Sequence, residues 1–135
     1  MNWRRCARFA LGLFYFAAGL VHLVLPEPFL KITPDWVTSP ALVVTLTGVA
    51  ELAGAAGLIQ PFLPALRRVA GWGLAAYALC VWPANFHHMA LDMARADHGA
   101  GLAYHLPRLA AQPLLIWLAL WASTAMDWPF RPRRS

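Results

Sequence analysis

Glu51 is the residue that most needs an explanation. It stands in LTGVAELAGAAGLI (46–59), where every other side chain is apolar, small or a hydroxyl. A carboxyl there can exchange a proton or accept hydrogen bonds from a ligand. Thr47 lies four residues earlier on the same helical face, so its hydroxyl is expected to hydrogen-bond the acid. Tyr15 and His22 are seven apart in another apolar run, two helical turns along one face. Asn85 lies in WPANFHHM (82–89) and Gln112 in AAQPLL (110–115). Asn85 and His22 are suited to hydrogen-bond a carbonyl, and Trp82 or Phe86 to stack on a ring. Pro83 cannot donate to Leu79, nor Pro113 to Leu109, which frees two backbone carbonyls. Asn85 is expected to answer the first of them or a ligand.

Metal and thiol chemistry are poorly supplied. His87 and His88 are adjacent and point about 100° apart on a helix, a poor chelating pair. A site with His98 or His105 would need the intervening loop to fold back, and four ligands cannot be named, so no metal is expected. Both histidines of the pair read as a solvated rim. Cys6 and Cys80 lie in different blocks without a Cys-x-x-Cys, so dithiol chemistry has no apparatus and both read as small apolar residues.

These polar groups are embedded in a greasy chain. Of 135 residues, 60% are hydrophobic and 13% charged, against about 25% charged in soluble domains. Mean hydropathy is +0.52. The apolar residues fall in four blocks without strand-like alternation, which predicts an all-α, integral membrane four-helix bundle. The chain is read as one domain, 1–135, with spans at about 8–25, 41–60, 66–86 and 107–126. The basic start Met1–Arg8 resembles a secretory signal. The run that follows is too long and lacks a small-x-small site, so it is read as a retained span.

Charge sets the expected orientation. Arg4, Arg5 and Arg8, then Arg67 and Arg68, then Arg131, Arg133 and Arg134 mark one side, which places both termini in the cytoplasm. The net charge of +5 is then a topology signal and a contact with anionic lipid. No basic recognition face for nucleic acid is visible. Counting along the spans brings His22, Glu51, Asn85 and Gln112 to the outer half, one from each helix. This predicts an outward-opening polar cavity, or else polar glue between helices. An acid at mid-span costs about 2.5–3.5 kcal/mol unless paired or protonated. Residues 26–39 read as a short interfacial or re-entrant segment, 60–68 as a tight inner turn, and 89–106 as a flexible outer loop.

Four segments carry a family resemblance: AAGLVHLVLPEPFLKITPDW (17–36), LTGVAELAGAAGLI (46–59), RRVAGWGLAAYALCVWPANFHHMA (67–90) and LPRLAAQPLLIWLALW (106–121). In order and spacing they resemble the DoxX-like family of small four-span bacterial membrane proteins. The resemblance implies an inner-membrane, multi-pass protein with His22, Glu51, Asn85 and Gln112 as its polar positions. Members are associated with quinone-coupled sulfur oxidation, oxidoreductase complexes and disulfide chemistry, though the cysteine pair for the last is missing here.

The leading expectation is a non-catalytic membrane subunit or scaffold in redox or envelope-stress functions, not an enzyme on its own. Its partners would be the lipid bilayer and an oxidoreductase subunit or a second copy, with no nucleic acid. The alternative is a binding site for a quinone or protonated substrate around Glu51, with Tyr15, Thr47 and Trp82 nearby. A small proton-coupled transporter is a variant of that alternative.

Overall fold

The computed structural model describes residues 2–130; Arg131, Arg133 and Arg134 of the expected basic tail lie outside the described residues. Five helices and no strand are present among them. The helices are α1 (Trp3–Val24), α2 (Glu27–Ile32), α3 (Pro40–Ile59), α4 (Pro64–Ala94) and α5 (Leu102–Ala122). Sequence punctuation sets the starts. Asn2 caps α1 by accepting from the Arg5 amide at 3.2 Å, relieving an orphan donor. Proline opens α3 and α4, where its missing N–H costs nothing.

The four long helices form a closed ring, α1 on α3, α3 on α4, α4 on α5 and α5 on α1, with α2 laid against α3 and α4. The turn between α3 and α4 is tight because Gln60 braces it: its Oε1 accepts from the amides of Phe62 and Leu63, and its Nε2 donates to Leu63 O.

Small residues bring α1 and α3 together. A Cβ on Gly19 would sit 2.7 Å from the carbonyl oxygen of Gly48, and one on Gly48 would sit 2.9 Å from His22 Cβ. This crossing places His22 one turn beyond Gly19, against the helix that carries Glu51. The core beside it is built from Leu11, Tyr15, Ala55, Leu58, Leu74 and Leu120, among others.

The molecule is apolar outside and partly polar inside. Leu13, Phe16, Leu46, Val69, Trp72 and Leu114 are exposed, whereas Glu51, Asn85, Asp92, His105, Gln112 and Ser123 are buried. Two helices, α1 and α3, are long and apolar enough to cross a membrane.

The outer loop differs from expectation. Helix α4 runs straight on through Pro83 to Ala94, and α5 starts five residues before Pro107. The connection is therefore only 95–101, not 89–106. Cross-links between the two helix extensions account for this, and they belong to the site.

Candidate functional site: a cavity around Glu51

The helices enclose a cavity of about 760 Å³. His22, Glu51, Asn85, Gln112, Tyr15 and Thr47 all line it. Glu51 is 3% exposed. Its Oε1 accepts a 2.6 Å hydrogen bond from the Tyr77 hydroxyl. Its Oε2 lies 2.8 Å from His22 Nδ1. That ring nitrogen is also 3.0 Å from Ala18 O, in better line for a hydrogen bond, so Oε2 has a close neighbour but no aligned donor.

Two more buried polar atoms on the lining lack a protein partner, the Tyr15 hydroxyl and Gln112 Oε1. Buried polar atoms are paired in the great majority of cases, so these two exceptions beside a buried acid mark the cavity as a candidate binding site. Helix α2 closes the side of the site. It sets Phe29 over the His22 ring at 3.7 Å between centroids and 26° between planes. Tyr15 meets Tyr77 edge-on at 6.1 Å.

Arg108 holds the far wall. Its Nη2 donates to Asn85 Oδ1 at 2.7 Å and its Nη1 to His88 Nδ1 at 3.0 Å, and its guanidinium lies over the Tyr104 ring at 4.9 Å. Among the described residues it has no carboxylate partner within ion-pair distance. The cavity therefore has an acid on one wall and an unneutralised cation on another.

Several sequence expectations need correction. Thr47 does not bond Glu51; its hydroxyl turns back to Val44 O at 2.7 Å, the local competition usual for a helical threonine. Asn85 answers Arg108, not the Leu79 carbonyl. Trp82 does not line the cavity: it lies 6.0 Å from Phe86, and Phe86 is exposed. The rings that face the cavity are Phe14, Tyr15, Phe29, Trp36 and Tyr77. Tyr77 and Arg108 are site residues the sequence reading missed. Arg108 had a signal, its four-residue spacing to Gln112 on one helical face; Tyr77 had only the general need of a buried hydroxyl for a partner.

The outer histidines are not all a rim. His105 is 1% exposed and its Nε2 donates to Asp92 Oδ2 at 2.9 Å. The Ala100 amide donates to the same oxygen at 2.9 Å, and His88 Nε2 is 3.6 Å away. Gly99, at φ +51°, fits against this carboxylate where a Cβ would collide with it. Asp92 thus clasps the 95–101 loop and ties α4 to α5, which is why the loop is short and both helices extend.

His88, Asp92 and His105 are also ligand types that converge, with their donor atoms within 4.8 Å of one another. The hydrogen bonds oppose a cation there. Arg108 always donates, so His88 must accept at Nδ1 and carry its proton on Nε2, toward Asp92. His105 likewise carries its proton on Nε2. A metal on those nitrogens would expel Arg108 from His88 and leave a buried N–H on His105 with no acceptor, against the usual outer support of metal-bound histidine.

The clasp makes this end of the bundle acid-sensitive. Burial pushes the His88 imidazole below its ordinary 6.5, outweighing the pull of Asp92. The Ala100 amide and then His105 hold the Asp92 carboxyl below its ordinary 3.8. For both groups the unfolded chain takes up protons first, so stability falls as pH falls. Loss should begin as pH drops through about 6.5 at His88. It should deepen below 3.8, as Asp92 is protonated at its lowered value. Hydrogen-exchange protection of the Ala100 amide, corrected for intrinsic rate, should decrease from pH 7 to pH 5 and again toward pH 3. A flat profile would remove the clasp.

With this geometry in hand, comparison places the chain. It matches the family described as Domain of unknown function (DUF8561) over residues 11–123, and it belongs to that family. No DoxX-like family matches; the DoxX-like resemblance is therefore corrected, and the roles it implied carry no weight here. The motifs that suggested it were short, and polar positions in apolar helices recur for physical reasons alone. No curated protein and no solved structure matches the chain.

Proposed function

We propose that this protein is an integral membrane four-helix bundle that binds a ring-bearing, carbonyl-containing amphiphile, a quinone, in the cavity around Glu51. In this reading α1, α3, α4 and α5 cross the cytoplasmic membrane, both termini are cytoplasmic and the cavity lies in the outer half. The inside-out distribution of side chains supports the membrane setting. Only 22% of the apolar window of α1 and 33% of that of α3 is buried, far less than in a core helix of a soluble protein. The exposed remainder is leucine, valine and aromatic surface that lipid would cover. Helix α4, with 31 residues, is about 46 Å long at 1.5 Å per residue. It is longer than a hydrocarbon core of about 30 Å, so in this reading the Asp92 clasp would stand beyond the bilayer.

The observation that carries the ligand reading is the cavity with two unmet buried polar atoms, on Tyr15 and Gln112, beside the buried Glu51. Its mostly apolar walls suit a ring and a tail, and a few convergent polar groups suit orientation of carbonyls. Glu51, between Tyr77 and His22, is the group that would exchange a proton with a reduced ring oxygen. Arg108 and Gln112 would face the opposite oxygen. A subunit or scaffold role draws no comparable support, because the exposed apolar belt suits lipid as well as a protein partner. A proton-coupled transporter would use the same acid but needs a second opening.

Radiolabelled decylubiquinone should bind the protein in lipid nanodiscs saturably, above the level in empty nanodiscs. Uptake that only scales with lipid would end the proposal.

A further inference from the structure

At the opposite end of the bundle is a second pocket, of about 530 Å³, bounded by Arg5, Arg8, Phe9, Ile59, Pro61 and Arg67. Three guanidinium groups meet there. Arg5 and Arg8 both pack on Phe9, at 5.9 and 5.5 Å from the ring centroid, so the shared ring holds two like charges together. The Nε atoms of Arg8 and Arg67 are buried and have no partner in the protein. Both side chains are only partly buried, but an Nε shut off from water without an acceptor leaves a polar group unsatisfied.

The helix ends add to the excess. Both α1 and α4 point their N-termini at this end, and neither has an acidic residue in its first turn. Helix N-termini are positive and favour anions, so arginines there are placed against the dipole. Asp127 cannot compensate, since it is taken by Arg4 at 2.8 Å. The C-terminal carbonyls of α3 offset part of the charge, but Gln60 Nε2 already covers that of Gly57. Nothing within the described residues neutralises the pocket.

We propose that this pocket binds the phosphate of an anionic phospholipid headgroup. The assignment of a lipid rests on the membrane reading above; the assignment of a phosphate does not. The positive side of a membrane protein faces the leaflet where anionic headgroups lie, and basic pockets between helices bind such groups. A phosphodiester offers acceptors to Arg8 and Arg67 together, relieving both orphaned donors and the repulsion among the three guanidiniums. Ile59 and Phe9 would take the start of an acyl chain.

The test uses the full chain in nanodiscs of phosphatidylcholine, with and without phosphatidylglycerol, and thermal unfolding as the readout. Phosphatidylglycerol should raise the midpoint of the wild type. Arg8→Gln and the Arg8→Gln, Arg67→Gln pair should lose that gain. In pure phosphatidylcholine they should be as stable as the wild type or more so, because repulsion has been removed. Arg68→Gln, exposed and outside the pocket, should keep the gain. Retained headgroup preference in the paired variant, or equal loss in Arg68→Gln, would overturn the site. Inorganic phosphate is added in parallel to detergent-solubilised protein. If it matches phosphatidylglycerol, the anion site stands and the lipid is overturned as its occupant. Extraction of the protein from membranes by alkaline carbonate would overturn the membrane reading separately, while the phosphate response would still report on the pocket.

Discussion

Glu51→Gln should leave the fold intact and weaken decylubiquinone binding by about tenfold or more. The amide keeps the size of the acid and can still accept from Tyr77 through its oxygen. What it loses is the charge, the proton and the second acceptor atom facing His22. A charge-assisted hydrogen bond is worth about 1.5–3 kcal/mol, which is roughly 10–100-fold in affinity. The unfolding midpoint should move little, because removing a buried charge also removes its desolvation cost. An unchanged affinity would show that the acid is structural.

The second large effect is expected at the helix crossing beside the cavity, at Gly19→Val. A Cβ there meets the backbone oxygen of Gly48 at 2.7 Å and Glu51 Cβ at 3.1 Å. Backbone cannot rotate away, so α1 and α3 must separate. Overpacking of this kind costs about 1–3 kcal/mol. A branched side chain also gains little in helix propensity to offset it. The separation moves His22 from Glu51, so ligand affinity should fall together with stability. Gly73→Ala is the control. A Cβ on Gly73 meets nothing within 4 Å, so that change should be neutral or stabilise by about 0.5–1 kcal/mol. Thermal unfolding of both variants in the same nanodiscs checks the pair.

The all-α class could be read from the apolar blocks, because a helix period leaves a plain record in composition; of the four expected spans, α1 and α3 are long and apolar enough to cross a membrane. The depth argument named His22, Glu51, Asn85 and Gln112, and all four line one cavity. Position along a helix is additive at a fixed rise, so counting can bring such residues to one level. Partners are not additive. Thr47 and Glu51 share a face, yet the hydroxyl found Val44 O first. Which of Trp82 and Tyr77 faces the cavity depends on the rotation of α4, and its close contacts, Leu74 on Gly54, Ala70 on Gly57 and Gly71 on Ser123, are with distant segments. The polar stretch 89–106 reads as loop because Gly99 and Gly101 punctuate it and it has little periodicity. It is mostly helix because Asp92, His105 and Ala100 close on each other across 13 residues, a contact no local pattern announces. The DoxX-like resemblance failed for a related reason: motifs of three or four residues record physical need as readily as descent.

The cavity as a quinone site is the central claim, and photo-crosslinking tests it most directly. An azidoquinone irradiated with the nanodisc-held protein should label peptides bearing Tyr15, Tyr77 or Gln112, and excess decylubiquinone should suppress that labelling. Labelling confined to exposed residues such as Leu13, Trp72 or Leu114, and indifferent to competitor, would contradict the account.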